Sequence, residues 1–119
     1  MIGYLLSDDL MFGSLITSTA RSLGLTIKSA RSVEVLESLA KQDAPSCVIV
    51  DLANATLQLS ELLAHLREKC SPMPRIVAYG SHVDAAGLKA AREAGCDVVL
   101  PRSAFVEQLP LKLPAWMSQ

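Results

Sequence analysis

The chain has 119 residues, half of them apolar, with 11 basic and 12 acidic side chains and a formal net charge of −1. That length suits one domain, 1–119, burying roughly two-thirds of its unfolded surface without staples, and the near-neutral charge lacks the basic stripe of a nucleic-acid binder. Cys47, Cys70 and Cys96 are odd in number and without metal or redox spacing, and the opening run Met1 to Leu6 is too short for a signal or membrane segment; a reduced, cytoplasmic protein is expected.

Short apolar runs alternate with amphipathic segments from end to end, the pattern of βα units wound into a parallel sheet. The first strand is expected at Ile2 to Leu6, followed by a helix with Leu15, Ile16, Thr19 and Leu23 inward. A second strand at Leu25 to Lys28 leads to a helix capped by Ser32, with Val33, Leu36, Leu39 and Ala40 as its stripe. Cys47 to Val50 is too short for a helix and unbroken by polar residues, so it reads as a strand buried on both faces, ending at Asp51. The third helix turns Leu59, Leu62, Leu63 and Leu66 inward. Arg75 to Tyr79 is the fourth strand, and the helix carrying Leu88, Ala91 and Ala94 stops at Gly95. Val98 to Leu100 is the fifth strand, and every strand but the second is expected to be buried. Pro110 and Pro114 then predict a short last helix, Ala104 to about Leu109. Leu109, Leu111, Leu113, Trp116 and Met117 beyond it either pack on the body or form a partner surface.

In a parallel sheet the carboxyl ends of the strands share one edge, which gathers Asp8 and Asp9 after the first strand with Asp51 after the third. Carboxylates held close raise one another's pKa unless a hard cation such as Mg2+ relieves them. The plain alternative is a set of turn and cap aspartates. His82 is expected at the rim of this crevice; neither it nor His65 has metal spacing.

Three stretches carry a resemblance: SDD at Ser7 to Asp9, VIVD at Val48 to Asp51, and AAREAGCDVVLPRS at Ala90 to Ser103. Over essentially its whole length the chain resembles a response-regulator receiver domain of two-component signalling, in an atypical, degenerate form. The resemblance implies a flavodoxin-like (βα)5 three-layer sandwich with a five-stranded parallel sheet and, here, a shortened last helix. It implies Asp51 as phosphoacceptor, and Asp8, Asp9, Asp51 and the Ala53 backbone carbonyl as ligands of a weakly held Mg2+. Arg102 and Ser81 would contact the phosphoryl group. A carboxylate can take a phosphoryl group in line, without a base, when its charge is neutralised.

The departures from the family pattern fall on the residues that hold and report that group. Ser7 stands where the first acid is usual, Arg102 where a lysine is usual, and Ser103 replaces the following proline. Of the switch positions, Gly80 has no hydroxyl and Val99 no ring, leaving Tyr79 as the alternative ring. Ala55 and Leu59 alter the loop after Asp51. The reading is therefore a receiver-like signalling module with eroded switch residues, acting through protein contacts. Its partners would be a histidine kinase or phosphotransfer protein and a downstream signalling protein, with a second copy of the chain as a further candidate and neither nucleic acid nor membrane. The alternative is an ordinary phosphorelay receiver phosphorylated on Asp51. A small flavodoxin-like enzyme comes third, because no Gly-rich phosphate cradle follows any strand. Enzymatic activity would be at most Mg-dependent self-phosphorylation and autodephosphorylation of Asp51.

Overall fold

A computed structural model describes residues 1–118; Gln119, the last residue of the expected domain, lies outside the described residues. Five strands alternate with five helices: β1 (Ile2–Leu6), α1 (Leu10–Ser22), β2 (Thr26–Ala30), α2 (Val33–Gln42), β3 (Cys47–Asp51), α3 (Leu59–Lys69), β4 (Arg75–Gly80), α4 (Ala85–Ala94), β5 (Val98–Pro101) and α5 (Arg102–Met117). All strand pairs are parallel, in the order β2-β1-β3-β4-β5. This is the doubly wound, flavodoxin-like arrangement, and its strand order reverses between β1 and β3.

Strand residues alternate between two cores. Tyr4, Leu6, Val48, Val50, Ile76 and Ala78 pack with Leu36 of α2, Leu62, Leu63 and Leu66 of α3, and Leu88 of α4. Leu5, Cys47, Ile49, Val77 and Tyr79 face the other way, onto Ile16 and Ala20 of α1 and the buried stripe of α5. Period-two alternation into two covered faces explains why β1 and β3 read as unbroken apolar runs. The edge strand β5 is only half-buried apart from Val99, against the expectation of full burial, because β4 flanks it on one side alone. In α1 the inward stripe is Gly13, Ile16 and Ala20, while Leu15 and Leu23 are exposed. Counting large side chains displaced that stripe, since two of its three members are small.

The expected end of the last helix near Leu109 is wrong: α5 runs 16 residues, with Pro110 and Pro114 inside it. Both prolines are exposed and one turn apart, so the carbonyls they leave without a helical donor belong to the solvent side. On the opposite side Phe105, Leu109, Leu113, Trp116 and Met117 are buried. An interior proline costs about 3 kcal/mol and a buried large apolar side chain returns about 1.5–3 kcal/mol, so five burials outweigh two prolines. Gly3 completes the fit, because a Cβ there would stand 2.8 Å from the Met117 sulfur. At the other helix end whose residue type matters, Gly95 closes α4 in the left-handed region at φ 111°. Ser32 caps α2 by accepting the Val35 N–H at 3.3 Å.

Candidate functional site

β1 and β3 lie side by side at the switch point of the sheet, with Leu6 opposite Val50. One step further, Ser7 and Asp51 meet: the Ser7 hydroxyl donates to Asp51 Oδ2 at 2.9 Å, and both residues are buried. Asp51 Oδ1 accepts the Ala53 N–H at 3.0 Å. Ser7 Oγ in turn accepts the Asp9 N–H at 3.1 Å, while Asp9 Oδ1 caps α1 by accepting the Phe12 N–H at 2.9 Å. Asp8 is exposed. The three acids thus reach one edge of the sheet but enter different structures: one a buried clasp, one a helix cap, one solvent.

The magnesium ligands implied by the resemblance are differently engaged: Asp8 is exposed, Asp9 caps its own helix, and Asp51 accepts the Ser7 proton. Among the described residues no group of three or more His, Cys, Asp or Glu side chains is placed to hold a metal ion. Where the pattern of the resemblance has an acid, Ser7 supplies a hydrogen-bond donor to Asp51.

The loop after Asp51 is tied down by two residues that sequence reasoning missed. Asn54 is buried, donates to the Arg31 carbonyl at 3.1 Å and accepts from the Thr56 N–H at 3.0 Å and the Thr56 hydroxyl at 2.6 Å. Thr56 Oγ1 then accepts the Val33 N–H at 3.1 Å, joining this loop to the start of α2. The sequence signal was the Asn-x-Thr spacing itself, which suits a local side-chain turn.

Across the sheet, Asp51 is in register with Tyr79, and both side chains lie on the α1/α5 face. Gly80 has the opposite parity: a Cβ there would meet Leu52 at 3.3 Å and Leu88 at 3.5 Å, away from Asp51. By register, then, Tyr79 is the β4 residue that shares a face with the carboxylate. Val99 sits in the aliphatic core of the other face. The Tyr79 ring packs on Phe12 at 4.9 Å and Phe105 at 4.7 Å between centroids. Its hydroxyl is buried without a hydrogen-bond partner of acceptable geometry. Burial holds this phenol well above the ordinary tyrosine range; Ser7 opposes the shift, Asp51 and Asp9 add to it, and Arg102 also opposes it.

Arg102 does not pair with Asp51. Its guanidinium carbon stands 5.1 Å from the centre of the Phe12 ring and 5.9 Å from that of Tyr79, both within cation–π range. With Phe12, Ala53, Ser81, His82, Ser103 and Val106 it lines an open pocket of about 430 Å³ at the mouth of the site, which is where His82 was expected. His65 is elsewhere, 3.2 Å from Glu37 between α3 and α2. Phe12 is the third residue missed; alone on an amphipathic helix it carried no signal. Among the described residues no helix is long and apolar enough to cross a membrane.

No protein-family model matches the sequence, and no curated protein does. Solved structures do. The chain is similar to a candidate response regulator from Chloroflexus aurantiacus (TM-score 0.84, 17% identity, 99% of this chain and 98% of that one). It is also similar to the receiver domain of NtrX from Brucella abortus (0.81, 15%, 98% of each), and to an orphan response regulator of H. pylori (0.79, 18%, 99% and 97%). The fold is that of response-regulator receiver domains, flavodoxin-like and complete from β1 to α5.

Proposed function

We propose that this chain is a receiver-like signal-transduction module, spanning 1–119 as one domain, that acts through protein contacts and not through catalysis. The observation that carries the reading is the apolar rim of the carboxyl edge: Leu10 (77% exposed) and Met11 (87%) open α1, and Val83 (79%) lies in the β4–α4 loop. Exposed large apolar side chains gathered at one edge mark an interaction surface. The positions through which a receiver would report a phosphoryl group do not support a switch, since Gly80 has no hydroxyl, a Cβ there would meet Leu52 and Leu88, and Val99 carries no ring.

The partner class this rim suits is a histidine kinase or phosphotransfer protein on one side and a downstream signalling protein on the other. The second reading, ordinary phosphorelay through Asp51, is favoured by the open pocket lined by Ala53, Ser81 and Arg102, which gives a phosphoryl donor a route toward the carboxylate. Titration with isolated phosphotransfer domains, followed by calorimetry, separates the two. Saturable binding that Leu10→Asp with Met11→Asp abolishes, and that Asp51→Asn leaves unchanged, is expected. Loss of binding in Asp51→Asn, or phosphoryl transfer to wild type, favours the phosphorelay; no binding to any such domain overturns the contact-based reading.

A further inference from the structure

Every oxygen of the clasp around Asp51 has a protein partner of the right polarity. A buried carboxylate requires positive charge or donated hydrogen bonds, and charge-assisted donors are the strong ones. Asp51 has two: the Ser7 hydroxyl on Oδ2 and the Ala53 amide on Oδ1. The Ser7 oxygen is itself fixed, accepting the Asp9 N–H, so its single proton is aimed at Asp51. Arg102 is held over the Phe12 and Tyr79 rings and makes no ion pair with Asp51. Asp9 belongs to the cap of α1.

We propose that the Ser7 hydroxyl stands in for the divalent cation at Asp51, making the site a metal-independent clasp that ties the β1–α1 loop to the β3–α3 loop and keeps the module in one state. A hydroxyl proton presents the same sign of charge to the carboxylate as a cation. It also adds no carboxylate that would need neutralising, as an acid at position 7 would. The clasp deepens the reading of this edge as a receiver-like signalling surface by naming how that surface is held. Its test measures metal binding and stability, both blind to signalling, so either claim can fall without the other.

The experiment is a Mg2+ titration of the full chain, followed by amide chemical shifts and thermal unfolding, for wild type, Ser7→Asp, and Ser7→Asp with Asp51→Asn. Wild type should show no saturable shift at the Ser7, Asp51 or Ala53 amides and an unchanged melting temperature up to tens of millimolar Mg2+. Ser7→Asp should gain saturable shifts at those amides and a Mg2+-dependent rise of several degrees, as a ligand of the folded state alone produces. The added Asp51→Asn should remove the gain. Saturable binding by wild type in the low millimolar range overturns the proposal. So does a folded Ser7→Asp chain that ignores Mg2+. Should Ser7→Asp fail to fold, Ser7→Ala decides: a melting temperature below wild type is expected, and one equal to or above wild type overturns the clasp.

Discussion

The two faces of the sheet are built from different materials. Beneath α2, α3 and α4 the core is aliphatic apart from Tyr4, whose single hydroxyl proton is shared between the carbonyls of Asp43 and Leu39. Beneath α1 and α5 four rings follow one another: Phe12 on Tyr79, Tyr79 on Phe105, and Phe105 on Trp116 at 5.9 Å. Asp51 and Tyr79 lie on that second face, and Arg102 rests on its outer rings. The aliphatic face therefore holds the fold, whereas the aromatic face holds both the fold and the geometry of the site. Damage to the two should read differently.

The largest expected effect breaks the comparison directly. Phe105→Ala and Leu63→Ala each remove a fully buried side chain, at a cost of about 3–5 and about 2–5 kcal/mol respectively, measured by urea unfolding. Only Phe105→Ala should also move the amide signals of Ser7, Asp51 and Arg102, because of the two residues only Phe105 packs on the Tyr79 ring. Equal perturbation of the site by both would show that the aromatic column has no privileged link to it.

The next effect has the opposite sign. α5 covers the aromatic face in spite of two interior prolines, and Pro110 is exposed. Pro110→Ala restores a helical N–H and removes the ring's clash with the preceding turn, against a small loss from a freer unfolded chain. The expected net gain is about 1–2 kcal/mol in urea, with the site amides unmoved. A loss of stability would mean that α5 needs the bend a proline imposes.

The same contrast explains what could be read from the sequence. The strands β1, β3 and β4 were legible as short unbroken apolar runs, and α3 as a leucine stripe recurring every three to four residues. Asp51 was legible from its place at a strand end. The aromatic face was not: Phe12 comes from α1, Tyr79 from β4, and Phe105 and Trp116 from α5, with no period to connect them. α5 was lost because local proline chemistry argued for an end that five buried side chains overrule. The Ser7 clasp was half visible; the missing acid could be seen, but not that its replacement donates to Asp51.

The smallest effect compares the faces through their thiols. Cys47, at the base of the aromatic face, is pushed up to about 12 from 9.0, chiefly by burial, with Arg75 opposing and Asp97 adding. Cys96, packed against the aliphatic core, is pushed up to about 11 by burial and then Asp97. Below the unfolded value both states carry the proton and nothing is lost. Above it the unfolded chain releases the proton while the folded chain keeps it, so stability falls as pH rises, and continues to fall until the folded value is reached. For Cys47 that window runs from 9.0 to about 12. Within it, a change from about pH 8 to about pH 10 should cost roughly 1 kcal/mol through this group. Urea unfolding under reducing conditions at those two pH values measures the drop, and Cys47→Ala should show a smaller one than wild type, whatever its stability at neutral pH. If the variant's drop equals that of wild type, the thiol ionises as readily in the folded chain as in the unfolded one, and the base of the aromatic face is open to water where the aliphatic face is closed.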